Sequence, residues 1–227
     1  MIKVFSTNAV RGALTELISG FEGSSGQRVS ISYASTDQMM SKLREGASAD
    51  VLIATAAAID ELIKQGKVNA GSRAEIGSTG VGIAVRRGAA KPEIGSVEAL
   101  KRTLLSAPSV AWTARGASGM YFATVIERLG IAEQMKERAH VITGGLVGEV
   151  LVRGEAELGV QMVSEILAVP GAELVGPLPA ELQKVVRFGA GIMTGATGIN
   201  AAQAFIQFLA TPQARAVLKS KGVEPPP

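Results

Sequence analysis

Short apolar runs alternate along this chain with turns of small polar residues and helix-period stripes, and that alternation leaves few folds open. Ile2 to Phe5 reads as a strand, and Val10, Leu14, Leu17, Ile18 and Phe21 then recur at the spacing of a helix with one apolar face. Val29, Ile31 and Tyr33 alternate as a second strand, followed by a helix that carries Met39 and Leu43 up to Gly46. Val51-Leu52-Ile53-Ala54 is apolar at every position, as a strand buried on both faces must be. Ala57 to Gln65 then reads as a helix closed by Gly66. Strands alternating with helices predict parallel βαβ units in a doubly wound sheet.

The same order restarts further on. Val81 to Val85 is a strand, Ser96 caps a helix carrying Leu100, Leu104 and Leu105, and Val110-Ala111-Trp112 is a strand. Met120 to Leu129 is a helix ending at Gly130. Val141-Ile142, a helix from Leu146 to Arg153, and the strand Leu158 to Met162 complete a second unit. Gly176-Pro177-Leu178-Pro179 reads as a loop, Val185 to Met193 as a strand, and Ala201 to Leu209 as a helix capped by Asn200. Thr211-Pro212 supplies the cap and first position of a last helix ending before Gly222.

Composition removes whole classes of chemistry. The chain has no cysteine and one histidine, so thiol nucleophiles, Cys-rich zinc sites and His-pair ligand sets are excluded, and no metal or cofactor is expected. His140 stands at the start of a strand with no G-x-S-x-G elbow before it, which argues for an ordinary strand-end residue over a triad member. Lys and Arg exceed Asp and Glu by only three and aromatics make up 4%, so no nucleic-acid partner is expected. The uncharged stretch from Phe188 to Ala214 is broken by Gly189, Gly191, Gly195, Gly198, Asn200, Gln203, Gln207 and Pro212, which predicts a soluble helix and no membrane span. As written, the chain opens without a basic and then apolar leader, giving an expectation of a cytoplasmic protein, or a periplasmic one if a leader has been trimmed; separately, a monomer is expected.

The polar turns carry the functional signal. Ser6-Thr7-Asn8, Ser35-Thr36-Asp37, Arg115 to Gly119 and Thr143-Gly144-Gly145 all follow strands and precede helices. Open α/β sheets bind ligands at that edge, where helix N–H groups and hydroxyls face an anion. Each Ser, Thr or Asn is also a candidate N-cap, and two turns fall in each half of the chain. Arg11 and Arg115 are candidate bidentate clamps for a carboxylate, with solvent-exposed rim positions as the alternative. Asp37 reads as a cap of its own helix, and Trp112 and Tyr121 read as core.

Val4-Phe5-Ser6-Thr7-Asn8-Ala9, Tyr33-Ala34-Ser35-Thr36, Gly46-Ala47-Ser48-Ala49-Asp50-Val51-Leu52-Ile53, Ala117-Ser118-Gly119-Met120-Tyr121 and Glu157-Leu158-Gly159-Val160 together resemble the molybdate-binding, ModA-like family of type 2 periplasmic solute-binding proteins. The resemblance runs over essentially the whole chain. It implies a two-lobe α/β fold with a mainly parallel sheet in each lobe, joined by two crossing strands near Gly80–Arg86 and Arg187–Thr194. The lobes would be 1–81 plus 193–227, and 82–192. A small anion would bind in the interlobe cleft, and an ABC permease would be the partner.

Carried across residue by residue, the resemblance implies ligand positions at Asn8, Ala9, Ser35, Thr36, Arg115, Ser118, Gly119, Gly145, Leu146 and Met162, with Gln161 as the alternative to Met162. The family's first-turn serine falls at Ala9 and its ligand tyrosine at Met162, so two neutral donors are lost. That loss argues against molybdate, and Arg115 and Arg11 near the turns point to a different small anion, a carboxylate or another oxyanion. Three functions share this fold: a binding protein for a small anion, an isomerase of a small unsaturated tricarboxylate such as aconitate, and the effector domain of a regulator. The first is the leading reading. No helix-turn-helix segment accompanies the third, and the second needs an acid or base, for which Asp37, Glu149 and the Ser35, Thr36 and Ser118 hydroxyls are candidates.

Overall fold

A computed structural model describes residues 1–226. They form two compact units: Met1–Ser78 together with the chain from Val186 onward, and Thr79–Val185. In chain order the first unit contains β1 (Ile2–Thr7), α1 (Arg11–Ser25), β2 (Val29–Ala34), α2 (Thr36–Arg44), β3 (Val51–Thr55) and α3 (Ala56–Lys64). It also holds the opening residues of β4 (Ala74–Arg86). The second unit contains the rest of β4, then α4 (Val97–Ser106), β5 (Val110–Thr113), α5 (Ala117–Arg128), α6 (Ala132–Lys136), β6 (Ala139–Ile142), α7 (Val147–Val152), β7 (Leu158–Met162), α8 (Val163–Leu167) and β8 (Ala172–Pro177). The chain then re-enters the first unit as β9 (Val185–Ile192), α9 (Ile199–Leu209) and α10 (Pro212–Ser220).

In the first unit β2, β1 and β3 run parallel, and β9 adds to β3 antiparallel. The apolar run Val51–Ala54 is buried throughout because helices cover both faces of this sheet. On one face Phe21 of α1 packs edge-on to Phe205 of α9, with ring centroids 5.1 Å apart. On the other, Met39 and Leu43 of α2 join Leu52, Ile59, Leu62 and Val68. Each such fully buried side chain contributes roughly 1.5–3 kcal/mol over leaving it in water. In the second unit β6, β5 and β7 are parallel, and β4 pairs antiparallel with β7 and with β8. Ala84, Ala111, Val147, Val150, Leu151 and Ile166 form its core.

Asp50 fastens the first unit at the start of β3. Its carboxylate accepts the Lys3 N–H at 2.8 Å and the Thr197 N–H at 3.0 Å, joining β1 to the loop between β9 and α9. Burial alone would raise its pKa. Hydrogen bonds from the backbone of Lys3, Thr197 and Gly198 and from the Thr197 hydroxyl more than offset that, and the pKa lies below the ordinary value of 3.8. A depressed carboxyl adds stability above its unfolded pKa and loses it as pH falls through the folded one. Asp50→Ala is therefore expected to cost about 2 kcal/mol in urea melts at pH 7, by stranding amide donors, with the gap from wild type closing in acid.

Several boundaries differ from the sequence expectation. The Gly176-Pro177 segment belongs to a strand: β8 pairs with β4 as far as Pro177, a place where a missing N–H is tolerated because the strand ends there. α6 and α8 have five residues each, too few to show a helical period. α9 starts at Ile199 with Gly198 at its cap, so Asn200 lies inside the helix and does not cap it. α5 starts at Ala117, three residues before the expected Met120. The caps at Ser96 and Thr211 are formed, accepting from the N–H groups of Ala99 and Ala214. No helix among the described residues is long and apolar enough to cross a membrane.

Candidate functional site

In the first unit the candidate residues gather because parallel strands bring their carboxyl ends to one edge. Thr7, the last residue of β1, is in register with Ala34, the last residue of β2, so the turns at Asn8-Ala9 and Ser35-Thr36 leave the sheet side by side. Asn8 to Val10 form a single 3-10 turn, in which the Thr7 hydroxyl accepts the Ala9 N–H at 3.4 Å. Asn8 and Ala9 are both buried. Val10 gives α1 no side-chain cap.

At the second turn Ser35 and Gln38 form a reciprocal capping box: the Ser35 hydroxyl accepts the Gln38 N–H and the Gln38 side chain accepts the Ser35 N–H. The cap is Ser35 and not Asp37, which stands in the first turn beside it. The Thr36 hydroxyl accepts the Thr55 N–H from the end of β3 at 3.3 Å, leaving its own proton available to a ligand.

The second unit repeats this arrangement. Thr113 at the end of β5 is in register with Ile142 at the end of β6, so the turns at Arg115–Gly119 and Thr143–Leu146 are neighbours. Arg115 is exposed at the head of its turn. Gly116 caps α5 without a side chain, and Ser118, in the first turn, is 1% exposed. A methyl group at Gly119 would lie 1.7 Å from the Thr113 carbonyl oxygen, so the helix sits as close to the strand as backbone allows. The Thr113 hydroxyl is buried at this contact without a hydrogen-bond partner.

Gln161 and Met162 differ in role. The Gln161 side chain, 1% exposed on β7, accepts the Val147 N–H at 2.7 Å and donates to the Gly145 carbonyl at 3.2 Å. It thereby holds the turn before α7, where Gly145 takes a positive φ of 88°. Leu146 is the buried cap residue of that helix and offers no side-chain donor. Met162 ends β7 with its side chain buried, likewise without a donor group.

Glu165 has no signal in the sequence, where an acidic residue outside any periodic stretch has the composition of solvent-exposed surface. It stands in α8, three residues past Met162, and is 9% exposed. Its one hydrogen bond comes from the Met162 N–H at 3.4 Å, too weak to offset burial, which pushes its pKa from 4.5 to about 7. The adjacent Ser164 hydroxyl is buried without a partner. A buried carboxyl that exchanges its proton near neutrality has the property of a general acid or base. Glu149, by contrast, is exposed in the first turn of α7.

The other sequence candidates take structural places. Trp112 packs edge-on against Phe122, with centroids 5.3 Å apart, and the Tyr121 hydroxyl donates to the Leu182 carbonyl at 2.9 Å. His140 lies half-exposed on β6, its ε nitrogen 3.9 Å from the Glu155 carboxylate. A cavity of about 590 Å³ in the second unit opens at the amino-terminal ends of β5 and β7 between Pro108 and Leu158, and holds none of the candidate residues. No cluster of three His, Cys, Asp or Glu side chains able to hold a metal occurs among the described residues.

The sequence profile of the bacterial extracellular solute-binding proteins matches residues 2–224. Aconitate isomerase from Pseudomonas sp is 33% identical over 232 residues, spanning 100% of this chain and 88% of that protein. The molybdate-binding protein ModA of Azotobacter vinelandii is 28% identical, spanning 92% and 84%. The solved structure of the periplasmic molybdate-binding protein of Azotobacter vinelandii superposes with a TM-score of 0.83 at 22% identity, covering 100% of both chains. The chain therefore belongs to the bacterial extracellular solute-binding protein family and has the two-lobe α/β fold of its ModA-like periplasmic members.

Proposed function

We propose that this protein binds a small organic carboxylate, of the di- or tricarboxylate kind, and that molybdate is not its ligand. The observation that carries the reading is the pair Ala9 and Met162: both are buried where the resemblance puts neutral donors, and neither has a hydroxyl. Each missing donor costs a tetrahedral-oxyanion site roughly 0.5–1.5 kcal/mol or more, since the lost bond is to a charged oxygen. What remains suits a carboxylate: helix-opening N–H groups in each unit, each end worth about 0.3–1 kcal/mol, with the Thr36 and Ser118 hydroxyls as donors. Differential affinity for these donors would favour the liganded form, which a solute-binding protein presents to an ABC permease.

A second reading, isomerisation of an unsaturated tricarboxylate, is favoured by the full-length likeness to an aconitate isomerase and by the buried Glu165. It requires turnover as well as binding.

A thermal-shift panel of molybdate, sulfate, citrate, cis-aconitate, trans-aconitate and simple dicarboxylates tests the first reading. A true ligand at a hundredfold excess over Kd adds about 2.7 kcal/mol. Ser118→Ala and Thr36→Val should then weaken the best carboxylate several-fold to a hundredfold in the folded variants. Unchanged affinity in both would return these hydroxyls to a capping and packing role. Incubation with cis-aconitate followed by NMR decides the second reading: a new isomer supports it, and an unchanged spectrum with demonstrated binding removes it.

A further inference from the structure

We infer that Arg11, held over the Tyr33 ring, pairs with a carboxylate group of the ligand, and that Tyr33 is its positioning residue. The inference rests on the carboxylate reading above and assigns that specificity to a pair of side chains.

Arg11 opens α1, three residues past Asn8, and is half-buried. Its guanidinium carbon lies 5.4 Å from the centroid of the Tyr33 ring. A guanidinium over a ring face is attracted by it without spending its N–H groups, two of which a carboxylate can take together. Four acids of the first unit are committed elsewhere: Glu16 to Lys221, Glu22 to Arg28, Asp60 to Arg73, and Asp50 to backbone N–H groups. No ion pair to Arg11 is formed among the described residues, although a partly desolvated cation gains most from an anionic partner.

Tyr33 cannot supply that negative charge. Burial raises its pKa above 10.0, against opposing contributions from Thr15 and the Arg11 charge, so it remains a neutral phenol. Its hydroxyl is buried near Thr15 with no partner in good hydrogen-bond geometry, so the ring and not the hydroxyl makes the useful contact. The placement also fits. Tyr33 is in register with Ser6 and immediately precedes Ala34, the last residue of β2, so the platform stands beside the turn that carries Asn8 and Ala9. On this reading the charged fork of Arg11, two residues past the buried Ala9, stands in for the neutral donor lost there and is matched to a planar carboxylate.

Calorimetric titration of cis-aconitate, trans-aconitate, citrate and molybdate into wild type and four variants tests this. Arg11→Gln should weaken the best carboxylate by about tenfold or more, and Arg11→Lys by less, because it keeps charge but loses the fork. Tyr33→Leu should weaken it about three- to tenfold. Tyr33→Phe should bind as wild type does, because it keeps the ring. Arg11→Gln or a folded Arg11→Lys binding as tightly as wild type would overturn the role of Arg11 while leaving carboxylate binding intact. A Tyr33→Phe variant as weak as Tyr33→Leu would overturn the platform. Wild type binding none of the carboxylates would overturn the inference and the reading beneath it together.

Discussion

Gly119→Ala should be the most damaging single-methyl change in the second unit. The added carbon would meet the Thr113 carbonyl oxygen at 1.7 Å, its carbon at 2.7 Å and the Thr113 hydroxyl at 2.8 Å. Two of those three atoms are backbone, so no flexible side-chain end can swing aside. Relief requires lifting α5 off β5, which would also loosen the packing of Trp112 on Phe122. Overpacking typically costs 1–3 kcal/mol, and with rigid backbone in the way about 3 kcal/mol or more is expected. Gly20→Ala is the matched control: in α1 its new methyl meets nothing within 4 Å, and the change should be neutral or stabilising by up to about 1 kcal/mol. Urea melts of the two variants side by side check this, and similar midpoints would mean that α5 does not sit so close to β5.

Glu165→Gln should make the protein more stable at alkaline pH and no more stable in acid. The folded pKa of Glu165 is raised from 4.5 to about 7, so its neutral form is the one the fold accommodates. For a raised carboxyl the stabilising contribution is fully present below the unfolded pKa and is lost as pH rises through the folded one. Wild type should therefore lose on the order of 3 kcal/mol relative to the variant between pH 4.5 and pH 8, since each pKa unit corresponds to about 1.4 kcal/mol. Asp50 works with the opposite sign and in a lower window, so the two do not mask each other. Denaturation at several pH values measures the difference, and a gap that stays constant with pH would show that the Glu165 carboxyl reaches solvent.

The βαβ order was legible because the strands have distinctive compositions. Val51–Ala54 could be placed as a strand covered on both sides, and the cap residues Ser96 and Thr211 marked their helices, because each signal is local. β8 was not legible: Gly176 and Pro177 are turn residues by composition, and only pairing with β4, far off in sequence, makes them strand. The site divides in the same way. That Ser35 and Thr36 stand at a strand end follows from sequence, but Ser35 is occupied as a cap and Thr36 accepts from Thr55, and neither can be read without the neighbouring strand. Gln161 looked like a substitute for a ligand residue, yet it fastens the Gly145–Val147 turn. Glu165 was passed over because its burial depends on how the residues around α8 pack.

The most direct measurement is a calorimetric titration of the wild-type protein with cis-aconitate, trans-aconitate and citrate in one series and molybdate in the other, at the same pH and ionic strength. The account predicts saturable, stoichiometric heat from at least one carboxylate and none from molybdate at the same concentrations. Tight molybdate binding with the carboxylates inert would show that the donors lost at Ala9 and Met162 are replaced by others, and would contradict it.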